Sequence, residues 1–158
     1  MPGRRAPSST LDETVFEVEF SAALPFVADH RIAGREVIAG AVHVAWVMAA
    51  ARHAFGWKGC ALEKVELLDA IVLAPAEKRV ATLRLLHESA SSARFEIVSA
   101  ETAHARGALV ESRPAWPARD PAQLRAGLTE HIDGASFYRE IGNAGYELGA
   151  SFRWPEEI

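Results

Sequence analysis

Hydrophobic and charged residues alternate near the start of the chain, over residues 14–22. Phe16, Val18 and Phe20 occupy every second position there, and a glutamate stands in each of the two gaps between them. A two-residue period is typical of a β-strand with one face buried. The pattern therefore predicts a first strand over residues 14–22.

A change of pattern follows this strand. Residues 24–40 are interrupted by Pro25 and two glycines and are predicted to form a loop. Residues 41–55 are rich in Ala, Val, Met and Trp and contain no internal Gly or Pro, which favours a helix. Because this helix is apolar on nearly every side, we expect it to be buried, and we expect Gly56 to end it as a C′ glycine.

Further strand-like runs occupy most of the next fifty or so residues. They cover residues 61–74, 78–89, 93–100 and 105–112, and polar or proline-containing turns separate them. A long buried helix followed by successive strands predicts an antiparallel sheet curled around a central helix. The predicted fold class is therefore α+β, with a hot-dog fold.

The composition of the chain changes near residue 113, where three prolines fall within nine residues. We therefore predict a flexible lead-in over 1–12, an N-terminal hot-dog over 13–112 and a proline-rich linker over 113–134. Residues 135–158 offer a short amphipathic helix and the beginning of another strand. They are predicted to be the incomplete start of a second unit.

Charge and cysteine content narrow the classes of function. The net charge of -4, with scattered lysines and arginines, offers no basic stripe for nucleic acid. The longest apolar segment, residues 37–55, is interrupted by polar residues, so no membrane span is predicted. The single Cys60 excludes an intramolecular disulfide and a multi-cysteine zinc site, which favours a cytoplasmic location.

Three segments resemble polyketide synthase dehydratase domains. "ADHRIAGREVIAG" resembles their HxxxGxxxxP motif, with His30, Gly34 and, at the proline position, Ala39. "LEKVELLDAIVLAP" resembles the strand pair after the central helix, and "GYELGASFRW" resembles the GYxYGPxF segment that opens the second hot-dog. The resemblance covers about residues 15–154 and implies the first half of a double hot-dog, with residues 135–158 as the incomplete start of the second hot-dog. In that family a histidine of the first half works with an aspartate of the second, and the 158 residues end before such an aspartate is expected.

The resemblance implies that His30 is a catalytic base. Removing an acidified Cα or Cγ proton from an acyl thioester needs a base with a pKa near 7, which imidazole supplies. We expect Gly34, Ala39 and Gly40 to bring backbone close to the thioester, and N–H groups at the helix start to polarise its carbonyl. Tyr146 is expected near the mouth of the site. The resemblance implies that the domain binds no cofactor or metal of its own. It also implies that the acyl substrate is carried on the phosphopantetheine of an acyl carrier protein.

Three alanines depart from the family pattern. Ala39 and Ala150 replace prolines, and Ala45 replaces a glutamate of the central helix. Family members that shift a double bond from α,β to β,γ often lack the motif proline and the catalytic aspartate, so the departures favour a shift slightly over ordinary dehydration.

Two further alternatives stay open. One is a non-catalytic hot-dog remnant that serves as a spacer or dimerisation surface, and the other is a free-standing hot-dog enzyme acting on coenzyme A esters. The expected partners are an acyl carrier protein, neighbouring synthase domains, the second hot-dog half and a second copy in a homodimer.

The other ionisable residues near the motif are predicted to be structural. His43 and His53 lie ten residues apart, which does not fit a metal-binding pair on one helix face. His104 is interpreted as a structural histidine at a turn or strand start. Asp29 precedes His30 in an extended segment, so its side chain should point away from the imidazole.

Overall fold

The computed structural model describes residues 3–7, 12–112, 119–156 and 158. Its strands are β1 Arg4–Ala6, β2 Glu13–Ser21, β3 His30–Ile32, β4 Arg35–Val37, β5 Cys60–Leu67, β6 Val72–Leu73, β7 Lys78–Ser89, β8 Ser92–Ser99, β9 Thr102–Glu111 and β10 Tyr146–Leu148. Its helices are α1 Pro25–Ala28, α2 Gly40–Phe55, α3 Pro121–Ala126 and α4 Gly134–Asn143, and a single 3-10 turn follows at Ala150–Phe152.

An antiparallel sheet packs against the long helix α2. The strand order is β1-β2-β7-β8-β9-β5, and buried side chains of β2 and β7 to β9 meet the helix across the core. Phe20 and Trp46 make an edge-to-face contact there, with ring centroids 6.0 Å apart. The predicted α+β hot-dog fold is confirmed.

The alternating pattern decides which face of each strand meets the helix. Along β7, Ala81, Leu83 and Leu85 are fully buried, whereas Arg84 between them is exposed. Burying a leucine side chain of this kind contributes roughly 1.5–3 kcal/mol. The strand predicted over 78–89 therefore coincides with β7, because its period is set by this burial.

A second, smaller sheet has the order β10-β3-β4-β6. The prediction of a loop over residues 24–40 is wrong in part, since α1, β3 and β4 lie within it. A two-residue turn joins β3 to β4, with Ala33 at φ 48° and Gly34 at φ 76°. Such left-handed turns match the twist of a tight hairpin, although each strand is too short to show a period in the sequence.

Helix α2 begins at Gly40, one residue before the predicted start. Gly56 ends it in the left-handed conformation, at φ 69°, and donates its N–H to the carbonyl of Arg52, as predicted for a C′ glycine. The helix is buried on one side only, because Ala41, Ala45 and Met48 lie on an exposed face. The expectation of burial all round is corrected, since the sheet covers a single side of the helix.

Both ends of the chain differ from the expected segments. Within the predicted lead-in 1–12, residues 4–6 form β1, which pairs with β2; residues 8–11 lie outside the described residues. Within the predicted linker, 113–118 are also outside them, and α3 follows. In place of the expected strand near the C-terminus there is the 3-10 turn, and β10 pairs with β3 of the first unit. In the described part of the chain, no helix has the length and apolarity of a membrane span.

Candidate active site

A cavity of about 240 Å³ opens at the N-terminal end of α2. Its walls come from β3, β4, the start of α2, the segment after β5, and β9. Three imidazoles line it, those of His30, His43 and His104. The two sheets and the helix therefore bring together histidines that are up to 74 residues apart in the sequence.

The His30 imidazole is held in one tautomer. Its Nδ1 lies 2.7 Å from the carbonyl oxygen of Val37, on the neighbouring strand β4. A carbonyl oxygen only accepts, so Nδ1 carries a proton and donates it to this bond. On another side, the ring of Phe152 lies 5.0 Å from the imidazole between centroids. The arrangement fixes the orientation of the His30 ring at the cavity wall.

The N-terminal end of α2 borders the same cavity. Ala39 is the N-cap, with φ -61° and ψ 140°, and Gly40 is the first helical residue; both line the cavity. The first N–H groups of a helix have no partner within the helix, and the helix dipole makes this end positive. Anionic oxygen is therefore favoured here. A Cβ on Gly40 would lie 2.7 Å from Cδ1 of Leu67, so the close approach uses the absence of a side chain.

His43 lies one helical turn further along α2. Its side chain is buried, with 4% exposure, and neither ring nitrogen has a hydrogen-bond partner in the described structure. Burial, and then the nearby His104, lower the pKa of His43 to about 4. This imidazole is therefore neutral near pH 7.

His104, by contrast, is fully satisfied. Its Nε2 lies 2.7 Å from the hydroxyl of Ser99, and its Nδ1 donates to the carbonyl oxygen of Asp69 at 3.1 Å. These bonds tie β8 and β9 to the segment that closes the cavity. The interpretation of His104 as structural agrees with this geometry, although it lies inside β9 rather than at a strand start.

Two predicted substrate-binding residues lie apart from the cavity walls. Gly34 forms the exposed hairpin turn, and its N–H donates to a carboxylate oxygen of Glu147 at 2.9 Å. Tyr146 faces Ile32 across the β10–β3 pair and is 43% exposed. The structure thus places Ala39 and Gly40 beside His30, and gives Gly34 a turn-forming role in place of contact with the cavity.

Asp29 positions the segment that carries Phe152. Its carboxylate accepts from the N–H of Ser151 at 2.8 Å, and its backbone carbonyl accepts from the N–H of Gly149. The hydrogen bonds from Ser151 lower the pKa of Asp29. The expectation of an extended segment is wrong, because Asp29 is the C-cap of α1 with φ -85° and ψ 1°; its printed side-chain bond is to residue 151 and not to the imidazole. Tyr138 of α4 adds a hydrogen bond from its hydroxyl to the carbonyl of Phe152.

A larger concavity, about 780 Å³, lies on the outer face of the six-stranded sheet. Four cationic and four anionic side chains line it, and they pair across strands, as Arg106 does with Glu66 and Arg94 with Glu88. Exposed ion pairs of this kind are typical of a strand face in contact with solvent. We place the candidate site at the smaller cavity, because only that one holds the base and the helix N-terminus.

Sequence reasoning missed the contributions of His43, Phe152 and Asp69 to this region. Asp69 lines the cavity and is exposed. The spacing of Gly40 and His43 was a usable signal, because residues three apart share a helix face. The Phe152 contact had no such signal, since it depends on how β10 pairs with β3.

Comparison with known families explains this geometry. The model of the polyketide synthase dehydratase domain matches residues 3–100, which is more than half of the chain. The chain belongs to the polyketide synthase dehydratase family. Its helix, sheet and cavity are accordingly those of a dehydratase-family hot-dog.

Solved dehydratase domains are similar over nearly all of the chain. The dehydratase domain from the CurJ module of curacin polyketide synthase is 27% identical with a TM-score of 0.87, covering 99% of this chain and 57% of that one. An inactive CurJ mutant, with a histidine replaced by phenylalanine, was solved in complex with a compound; it is 26% identical with a TM-score of 0.89, covering 99% and 58%.

A more distant relative shows the same fold. The dehydratase domain of PpsC from Mycobacterium tuberculosis, in complex with C12:1-CoA, is 22% identical with a TM-score of 0.79, covering 96% of this chain and 55% of that one. This dehydratase-family chain therefore spans a little over half the length of the solved domains it matches.

Proposed function

We propose that this chain supplies the histidine half of a site that acts on an acyl thioester, with His30 as the base. The substrate is a β-hydroxyacyl or enoyl group carried on the phosphopantetheine of an acyl carrier protein, and the domain adds no cofactor of its own. The observation that carries the proposal is the hydrogen bond from Nδ1 of His30 to Val37, which orients the ring at the cavity wall and leaves Nε2 as the nitrogen available to the substrate.

The similar CurJ domain supports this role for a histidine. Its inactive form carries phenylalanine in place of a histidine. In the present chain, the Nε2 lone pair would accept the substrate proton, while N–H groups at Gly40 and Ala41 would stabilise the enolate oxygen. His30 and Gly40 both line this one small cavity.

We infer a slight preference for moving the double bond from α,β to β,γ. In such a shift, His30 takes a Cγ proton and returns a proton to Cα, so one base suffices. Dehydration also needs a positioned acid to protonate the leaving hydroxyl. The family name and the solved relatives favour dehydration, and we retain it as the alternative, with the acid supplied by a second hot-dog half.

The exposed face of α2 supports a second hot-dog half as a partner. One side of the helix consists of exposed apolar residues, Ala41, Ala45 and Met48. Leu67 and Leu68 are exposed beside the cavity. An apolar surface of this kind is suited to burial. We propose that the acyl carrier protein, neighbouring synthase domains and a second copy in a homodimer complete the assembly, and that it works in the cytoplasm.

The test uses the full natural polypeptide that contains these residues. It is incubated in deuterium oxide with a β-hydroxyacyl and, separately, an α,β-enoyl thioester on the carrier protein. NMR then follows Cα deuterium and the position of the double bond. A β,γ product with Cα deuterium, and no loss of water from the hydroxyacyl substrate, would establish the shift; loss of water would establish dehydration instead.

The variant His30→Phe should abolish either reaction. A matched control is His53→Phe, which removes an imidazole from the exposed C-terminal end of the same helix α2. Wild-type protein that binds the carrier protein without turnover would support the non-catalytic alternative. Equal activity of His30→Phe and the wild type would remove His30 from the mechanism.

A further inference from the structure

Among the three cavity imidazoles, His43 is the one without hydrogen-bond partners. His30 is held by Val37, and His104 by Ser99 and Asp69, whereas both nitrogens of His43 are buried and unpaired. Buried polar groups in folded proteins are nearly always satisfied, so an exception calls for an explanation such as a ligand that completes it. If His43 only filled space in the core, its two unpaired nitrogens would add no stabilising interaction.

The position of His43 suits contact with the reacting thioester. Gly40 and His43 are three residues apart in α2 and therefore lie on one helix face. Both line the cavity that also holds His30. An oxygen bound at the N-terminus of the helix would thus be near the His43 ring as well.

Its protonation state suits a donor that does not give up its proton. Burial, and then the nearby His104, lower the pKa of His43 to about 4. The other ionisable groups that face the cavity are His30, His104 and Asp69. A neutral imidazole carries one N–H donor and can polarise a carbonyl, as a neutral histidine does in triosephosphate isomerase.

We propose that His43 is a second active-site imidazole, whose neutral N–H donates to the thioester carbonyl oxygen beside the N-terminus of α2. This inference rests on the proposed function. His30 removes the Cγ proton, and the C–H electrons move through the double bond to the oxygen. His43 stabilises the resulting enolate by a hydrogen bond only. The enolate then collapses as Cα takes a proton from the His30 imidazolium, so no other reactant is needed.

The same hydrogen bond would serve dehydration, because that reaction also passes charge to the thioester oxygen. The test therefore does not depend on which bond moves. The variant His43→Phe keeps a planar ring and removes both nitrogens, and His43→Gln restores an N–H donor. His53→Phe on the exposed end of the helix is the matched control.

Turnover of crotonyl-pantetheine is measured as deuterium exchange, and turnover of β-hydroxybutyryl-pantetheine as water loss. In whichever reaction the wild type performs, His43→Phe should lower kcat by about 10²- to 10³-fold, the usual effect of removing one oxyanion donor. His43→Gln should recover a large part of that loss, and His53→Phe should match the wild type. Loss in His43→Phe without recovery in His43→Gln, or no loss at all, would overturn the inference.

A spectroscopic measurement separates the inference from the proposed function. In a His30→Phe background, bound crotonyl-pantetheine should show a red-shifted absorption band from the polarised carbonyl, and the added change His43→Phe should remove most of this shift. The ring nitrogens of His43 in wild-type protein labelled with ¹⁵N-histidine should respond to the same ligand. Absence of turnover with both signals present would refute the proposed function alone, whereas turnover with a silent His43 would refute this inference.

Discussion

The buried imidazole of His43 should make the stability of this chain fall steeply in mild acid. Its pKa is lowered from 6.5 to about 4 in the folded state. The unfolded chain, where the ordinary value holds, therefore binds more protons between these two values. The free energy of unfolding must decrease as the pH falls from about 6.5 towards 4. The decrease stops once His43 is protonated in the folded state as well.

The size of the effect follows from the shift. At 1.36 kcal/mol per pKa unit, a shift from 6.5 to about 4 corresponds to about 3 kcal/mol. Between about pH 7 and pH 4.5, linkage gives a loss of about 2.5 kcal/mol from this one group. With a urea slope of about 2 kcal/mol per molar, the unfolding midpoint moves by roughly 1 M.

The assay is urea unfolding of wild type and His43→Phe at the two pH values. Phenylalanine cannot titrate, so the difference between the two proteins isolates His43 while the other groups cancel. His43→Phe should gain about 2.5 kcal/mol relative to the wild type on acidification. A difference between wild type and His43→Phe that stays constant with pH would show that the ring is hydrated in solution, against the burial described above.

Three further changes follow from the local geometry. Asp29→Ala should speed hydrogen exchange at the Ser151 amide, because it removes the carboxylate that accepts from this N–H. In wild type the amide should be protected above pH 3.8, the ordinary pKa of an aspartate, and lose protection as the pH falls through the lowered pKa of Asp29. Unchanged exchange would refute this bond. Gly34→Ala should cost about 1–2 kcal/mol because φ is 76° there, while Gly142→Ala in open space on α4 should be neutral or gain up to about 1 kcal/mol by thermal unfolding; equal effects would count against strain. Ala39→Pro should stabilise by about 0.4–1 kcal/mol because φ is already -61°, and a clear loss would contradict it.

The long elements were predictable because burial imposes a period on the sequence. The run 78–89 alternates because one face of β7 meets α2, and α2 was recognisable because it has no Gly or Pro after its first residue. The small sheet could not be predicted in this way. Strands β3 and β4 have three residues each, and β10, which pairs with β3, lies more than a hundred residues further on.

The site was predictable only as far as the motif carried it. The motif pointed to His30, but the carbonyl that fixes its tautomer is that of Val37, which is brought close by the hairpin. Whether His43 has a partner depends on β9 and the segment after β5, and nothing in the helix sequence encodes that. An unpaired nitrogen is a property of the packed structure.

Ala39 shows how far a departure from the motif affects the mechanism. Its φ of -61° and ψ of 140° are values that proline itself adopts, so the backbone that presents Gly40 to the cavity is kept without the ring. The alanine by itself therefore argues weakly for a double-bond shift. Dehydration additionally requires an acid, because an imidazole that is the base for Cα cannot also be the donor that protonates the leaving hydroxyl in the same step. Replacing Ala39 by proline should accordingly leave the ratio of shifted to dehydrated product unchanged, and a change of that ratio would assign the choice of reaction to this turn.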